Sequence, residues 1–435
     1  MLPLVLRALR AAAALFLAAC SSEEAPPSPL EVNEATQKEL AALGYAEWTA
    51  PGEAGELERA GVTRHDPSRA FAGLNVFKSH RRRTAFLTGM SGETLHTWFG
   101  DRSEPDVVSR PSWIGWLDPR SWIRRAGGWK PDKAHSWHWF EVLPNGDLIG
   151  LATWDHIVRI DWDSRPLWRT SLAVHHDLDF DSEGRIYTLA EVQGQLTLAD
   201  GETIPILDEE IVILDPDNGH ILARVRLSPF FGSRVERAWV DSNKARRHDA
   251  YDVFHANSIE VVKRTVPGVA RAGNVLLSVR ELDLVVVLDL EARRIVWEWG
   301  PGDLKRQHHP SFLPNGNLLI FDNRWDENAS RVIELDPRSR EIVWEYRGDP
   351  PESFYSWTRG SSYALPNGNV LVSESNRGRA FEVTRSGDTV WEFWNPDVDD
   401  RTEARATLYR FARLPLDHFE PGLLEGSADE EERSD

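Results

Sequence analysis

The chain has 435 residues, with 50 Lys and Arg against 69 Asp and Glu, a formal net charge of −19 and a single cysteine. A negative surplus of this size argues against nucleic acid as a partner, because phosphate binding needs a basic footprint. One cysteine leaves no disulfide framework within the chain, while 19 Trp and 17 Phe supply ample apolar material for a large core.

At the N-terminus, Arg7 and Arg10 precede an apolar run over residues 11–19 that is too short to span a bilayer and has the shape of a secretory signal. The run ends in Leu17-Ala18-Ala19-Cys20, which resembles the cleavage and lipidation box of bacterial lipoproteins and makes Cys20 the lipidation residue. The expectation is a periplasmic protein, anchored to a membrane through Cys20, with Ser21 rather than aspartate next to it pointing to the outer membrane. An ordinary cleaved signal followed by a fortuitous cysteine is the alternative. Residues 20–70 then read as a tether, polar and proline-rich over 21–29, followed by one short helix over 34–44 that a glycine stops.

Beyond this, a repeat becomes measurable. Val296-Trp297-Glu298-Trp299, Val343-Trp344-Glu345-Tyr346 and Val390-Trp391-Glu392-Phe393 recur at a spacing of 47 residues, which is the length of a propeller blade. Each period runs hairpin, third strand (285–290, 331–335, 380–383), polar link, then the Val-Trp-Glu strand. The predicted fold is therefore all-β, a six-bladed β-propeller over residues 71–420 with a short N-terminal helical or extended segment. The first unit has outer strands at 84–99, and the others cover 138–168, 176–227 with an insertion around 191–202, 255–299, 308–346 and 359–393. Residues 402–414 add a closing strand or a helix, 228–252 read as a polar loop over one mouth of the channel, and 421–435 as an acidic disordered tail.

Histidine enters these hairpins in one register. His308 lies six residues before Pro314, His138 six before Pro144 and His176 six before Ser182; aligning the longer hairpin by its apolar residue Ile259 adds His255. The first strand of a propeller blade lies nearest the axis, so these four imidazoles are predicted to ring one end of the channel. Three readings of such a ring compete: a metal site, a nucleophile with acid–base helpers, or packed histidines hydrogen-bonded between blades. The close-spaced ligand pairs of familiar zinc sites are missing, which ranks metal below the nucleophile. There is no Gly-x-Ser-x-Gly, no phosphate-binding loop and no Gly-x-Gly-x-x-Gly, so neither a serine nucleophile nor a nucleotide cofactor is expected, and no cofactor is assigned.

Taken together, HHDLDF, FHANSIEVV with LLSVREL, QHHPSFLPNGNLLIFDN and SYALPNGNVLVSESNRGRAFEV resemble the bacterial arylsulfate sulfotransferases that work without a nucleotide sulfate donor. The resemblance runs from about residue 85 to residue 414 and implies a six-bladed propeller that moves a sulfuryl group between phenols through a sulfated histidine. It implies aryl sulfates and phenols as the small-molecule partners. Residue by residue, the resemblance implies His308 as nucleophile, with His255, Arg280 and His176 as further catalytic residues. Asn257, His138 and His309 are assigned as substrate contacts, and His309 also competes with His308 as its neighbour in the strand. A family arginine at Arg280 would hold sulfate oxygens with its planar fork; a plain ion pair with Glu281 is the structural alternative. Well-known members carry an N-terminal β-sandwich domain, of which this sequence has no counterpart before the propeller. The non-enzymatic alternative is an outer-membrane lipoprotein propeller used as a binding or assembly scaffold.

Overall fold

The turn chemistry of the hairpins explains where each blade begins. In Pro144-Asn145-Gly146, Pro314-Asn315-Gly316 and Pro366-Asn367-Gly368 the asparagine side chain accepts the N–H two residues on, at 3.2, 2.9 and 3.1 Å. The glycine of each takes a positive φ, 84°, 87° and 87°, which a residue with a Cβ rarely adopts. The structure is a computed structural model that describes residues 56–79, 84–100, 137–242, 246–247, 250–399 and 404–424. The signal segment, Cys20, the tether over 21–29, the helix expected over 34–44 and the tail beyond residue 424 lie outside the described residues.

Six antiparallel sheets form the blades of a β-propeller. Blade one pairs Phe411–Leu414 with Leu74–Ser79, Thr84–Thr88 and Thr94–Phe99, so the C-terminal strand closes the ring from the inside. Blade two is Trp137–Val142, Leu148–Ala152, His156–Ile160 and Pro166–Ser171. Blade three is Val174–Phe180, Ile186–Thr197, Thr203–Leu214 and Ile221–Arg226. Blade four runs Ala256–Val261, Val275–Val279, Leu284–Asp289 and Arg294–Trp299, and blade five His308–Phe312, Leu318–Asp322, Arg331–Asp336 and Glu341–Arg347. Blade six is Ser361–Ala364, Val370–Glu374, Arg379–Val383 and Thr389–Trp394, with Gly61–His65 added as a fifth, outermost strand. Part of the stretch read as tether is thus sheet.

The apolar core sits between neighbouring blades: Val285 and Val287 of blade four pack with Leu318, Ile320 and Ile333 of blade five in one cluster. The periodic tryptophans are the clamps across these interfaces. The indole N–H of Trp297 donates to Pro337 O, that of Trp344 to Arg385 O and that of Trp391 to Met90 O, each at 2.9 Å, and each reaches the following blade. Trp168 and Trp98 do the same to Pro216 O at 2.9 Å and Gly146 O at 3.0 Å. Burying the ring while satisfying its only donor is what makes the tryptophan recur in five of the six blades; the outer strand of blade three, Ile221–Arg226, has none.

The insertion around 191–202 extends the hairpin beyond its blade, with Ile186–Thr197 and Thr203–Leu214 pairing without interruption. One expectation changes: within 228–252, read as a loop, the described residues include helices Ser228–Phe231 and Arg237–Ser242, and strand Ala250–Asp252 lying parallel to the extended hairpin at Ile206 and Leu207. Apolar residues invisible to a charge count drive this, since Phe231, Val235 and Val240 pack on Leu196, Leu198 and Ile204.

Candidate active site

The innermost strand of a blade pairs on one side only, and its free edge presents N–H groups toward the channel that need partners. Side chains from the preceding blade supply them. His176 N–H donates to His138 Nδ1 (2.9 Å), Ile259 N–H to Asp177 Oδ2 (3.0 Å), Phe312 N–H to Glu260 Oε2 (3.1 Å) and Arg359 N–H to His308 Nε2 (3.2 Å). Each histidine strand is also bulged near the histidine: the ladder register shifts between Trp137 and Phe140, His175 and Leu178, Ala256 and Ser258, and His308 and Ser311. His176, His255 and His309 adopt left-handed φ values of 59°, 48° and 47°. Bulges re-aim side chains, and left-handed backbone at a non-glycine is costly, so the strand ends are built to turn imidazoles inward.

They converge. The ring centroids of His138 and His176 lie 4.7 Å apart and those of His176 and His255 4.9 Å, with Tyr409 beside His138 at 4.9 Å. His175 Nδ1 sits 2.8 Å from His176 Nδ1. His308 joins the group electrostatically, sharing its field with Arg280 and His255. His308 Nδ1 lies 2.7 Å from Asn323 Oδ1 and 3.0 Å from Arg306 O, both acceptors, so it carries the proton; Nε2 is left with a lone pair turned to Arg359 N–H. His255 Nδ1 donates to Asp252 Oδ2 at 2.6 Å.

Burial drives the pKa of His138, His176 and His308 well below the ordinary imidazole value, reinforced by Lys78 and Arg359 at His138, by the neighbouring imidazoles at His176 and by Arg280 at His308. All three are neutral near pH 7. His255 is also lowered by burial, but the Asp252 carboxylate opposes the shift. Arg280 is buried at 3% exposure with its guanidinium 3.3 Å from Glu281, so the ion pair expected as the structural alternative is present. The same guanidinium acts electrostatically on His255 and His308, lowering the pKa of both. Arg280 stands one residue beyond strand Val275–Val279, at the start of a 3-10 turn rather than within the strand.

Below the imidazoles an ion pair crosses the interior. Arg410, beside the closing strand of blade one, binds Asp177 of blade three, and its guanidinium packs over the rings of Trp139 (5.4 Å) and Tyr409 (5.5 Å). His309 turns toward this floor: its Nδ1–H donates to Ser362 O at 3.1 Å, its ring packs against Tyr363 at 4.5 Å with the planes inclined at 57°, and Arg410 adds to the burial that depresses its pKa. Asn257 is fully buried and donates to Gln307 O at 2.9 Å, bracing the residue before His308. Among the described residues, no three His, Cys, Asp or Glu are arranged to hold a metal ion.

Residues 141–396, more than half of the chain, match the family model described as arylsulfotransferase (ASST). The chain belongs to the arylsulfotransferase family. No curated relative matches it. Solved structures similar to it include a protein of unknown function from Bacteroides caccae, 12% identical, covering 79% of this chain and 99% of its own with a TM-score of 0.49. The propeller domain of Cps50 (Swd1) from Myceliophteria thermophila is 11% identical over 81% of this chain and 99% of its own, TM-score 0.44. Virginiamycin B lyase from Staphylococcus aureus is 11% identical over 76% and 87%, TM-score 0.39.

Several residues of the site carry no periodic signal in the sequence. Asp252 comes from the folded segment after blade three, Asn323 and Arg359 from loops of blades five and six, and Tyr409 and Arg410 from the approach to the closing strand. The one available cue is Asn323, which ends the QHHPSFLPNGNLLIFDN segment that holds His308.

Proposed function

We propose that this arylsulfotransferase moves a sulfuryl group from a phenolic sulfate ester to a phenolic acceptor through a sulfated His308. The reading is carried by the fixed tautomer of His308, with Nδ1–H held by Asn323 and a neutral Nε2 lone pair turned to Arg359 N–H, in the positive field of Arg280. Nε2 bonds to sulfur as the sulfur–aryl oxygen bond breaks, and the electron pair leaves on the phenolate oxygen. Displacing Arg359 N–H from Nε2 frees that donor for a sulfuryl oxygen, and Arg280 offsets the charge that builds there. In the return step the acceptor phenol gives its proton to His255 Nε2, its oxygen bonds to sulfur, and the pair of the breaking S–N bond returns to His308. The proton held on His255 then serves the phenolate that leaves in the next cycle. His176 stands next to His255 as a second proton carrier, and His138 as a substrate contact.

Incubation with a sulfur-labelled aryl sulfate and no acceptor tests this. The denatured wild type retains label, added phenol releases it, and His308→Ala retains none while kcat/KM falls at least ~1000-fold. Label persisting on the variant would sink the assignment of His308. We further propose, from Leu17-Ala18-Ala19-Cys20, that the protein is held at the periplasmic face of the outer membrane through Cys20. Fatty-acid labelling in a bacterial host should depend on Cys20, and labelling that survives Cys20→Ala counts against the anchor.

A further inference from the structure

Successive side chains of a regular strand point to opposite faces, so neighbours in sequence do not touch. In blade three His175 and His176 do: Nδ1 lies 2.8 Å from Nδ1, with the ring centroids 5.0 Å apart and the planes crossed at 87°. The bulge between His175 and Leu178 and the left-handed φ of 59° at His176 make the contact possible. Backbone strain of this kind is kept where a site needs it. One of the two Nδ1 atoms carries the hydrogen and the other accepts it. If His176 accepts, its own proton sits on Nε2, ready to be given; if His176 donates, its Nε2 holds a lone pair, ready to take one. One hydrogen moving between the two rings therefore turns His176 from acid to base.

Behind the pair stands a carboxyl. His175 Nε2 lies 3.6 Å from Glu209 Oε1, just beyond hydrogen-bond range, as catalytic contacts often are until substrate tightens them. Glu209 is 4% exposed, and its other oxygen accepts the N–H of Ala256, the residue after His255, at 2.7 Å. Burial, with Asp252, Asp208 and Glu281 nearby, raises the Glu209 pKa well above the ordinary carboxylate range, against the pull of Ala256 N–H. That favours a carboxyl that holds its proton. The sulfuryl-transfer reading needs such a proton. In the resting protein the neutral His255 gives its Nδ1–H to Asp252 and has none on Nε2 for the first phenolate to leave.

We propose that Glu209, His175 and His176 form a relay that supplies this proton. Glu209 gives its hydrogen to His175 Nε2, the His175 Nδ1 hydrogen passes to His176 Nδ1, and the His176 Nε2 hydrogen passes to the phenolate oxygen. Both imidazoles end neutral and Glu209 ends as a carboxylate. The proton that His255 later takes from the acceptor refills the relay through His176, whose ring centroid lies 4.9 Å from that of His255. His175 and Glu209 act through His176 and touch no substrate atom. The proposal rests on the reading of His308 as nucleophile.

Single-turnover release of two leaving groups separates a relay from a structural role. Phenol, with a pKa of about 10, needs the proton when it leaves phenyl sulfate, whereas 4-nitrophenol leaves without one. Glu209→Gln keeps an oxygen for Ala256 N–H but has no proton to pass. In this variant first-turnover release of phenol should fall about 100-fold and that of 4-nitrophenol no more than about threefold. His175→Gln should give the same split. Equal losses for the two leaving groups, or undiminished release of phenol, overturn the relay. Where one variant does not fold, the other decides. In the wild type, phenol release should slow in deuterium oxide while 4-nitrophenol release does not, and the lack of that difference also overturns it. A wild type that releases neither compound counts against sulfuryl transfer itself, whereas release with equal losses in the variants counts against the relay alone.

Discussion

The two ends of the channel solve one structural problem with different chemistry. At one end, imidazoles accept the free-edge N–H groups of the next blade, as His138 does from His176 and His308 from Arg359. Toward the other, carboxylates take the same role: Asp179 accepts Val261 N–H at 2.7 Å and Glu260 accepts Phe312 N–H at 3.1 Å. Burial moves the two sets in opposite directions on the pH scale but to the same charge. Imidazole pKa values fall, while that of Glu260 is pushed up to about 8, that of Glu141 to about 7 and that of Asp179 upward. Both ends are thereby biased toward neutrality, which is what burial demands of a titratable edge cap. The difference is that a neutral imidazole keeps a nucleophilic lone pair and a protonated carboxyl does not. A structural device shared by both ends is therefore reactive at one of them.

The contrast can be broken most sharply at the nucleophile. His308→Ala should abolish transfer, with the ~1000-fold loss given above, whereas Glu260→Gln, which keeps an oxygen for Phe312 N–H, should transfer label to His308 like the wild type. A comparable loss in both variants would mean that the imidazole end is structural as well. Next in size is Asp252→Asn, which removes the carboxylate opposing the burial shift of His255. Transfer to acceptor should fall about 100-fold, while first-turnover release of an activated phenol such as 4-nitrophenol, which needs no proton, changes far less. Equal effects on both half-reactions would remove His255 from proton transfer.

The smallest effect belongs to the carboxylate end and reads out in stability. Glu260 faces Asp179 and Asp177, which add to the burial that raises its pKa, and Lys263 and Phe312 N–H, which oppose it. A carboxyl whose folded pKa of about 8 lies above its ordinary 4.5 stays protonated in the native state while the unfolded chain ionises. Its contribution is complete below pH 4.5 and is lost as pH rises toward 8. Because the side chain keeps part of its surface in the channel, the loss is on the order of 2 kcal/mol rather than the full shift. Urea unfolding between pH 5 and 8 should show a shallower decline for Glu260→Gln than for the wild type. Parallel curves would mean that Glu260 ionises freely in the folded protein.

Much of the architecture was legible in the sequence because it is periodic. The tryptophans at 297, 344 and 391 recur since each of these blades buries one face against the next and clamps it with an indole donor. The hairpin turns were legible because Asn and Gly have few places to go other than a tight turn. The histidine register was visible for the same reason, and it led to His138, His176, His255 and His308. The helices and strand within 228–252 were missed because their polar composition hides the few apolar residues that dock on the extended hairpin.

By itself, then, the sequence determined the repeat, the number of blades and which strand starts carry imidazole, all of which follow from local spacing. Tertiary structure decided what those imidazoles can do. A bulge adds a residue to a strand without leaving a mark in its composition, so only the folded ladder separates His308, whose Nε2 faces Arg359 N–H, from His309, which turns to Ser362 and the Arg410 floor. Of the partners that set tautomer and charge, Asp252 and Asn323 are near their histidines in the chain, three residues from His255 and 15 from His308, but nothing in their spacing marks them. Arg359 comes from the connection into blade six, 51 residues from His308, and only the packing of neighbouring blades brings it to Nε2.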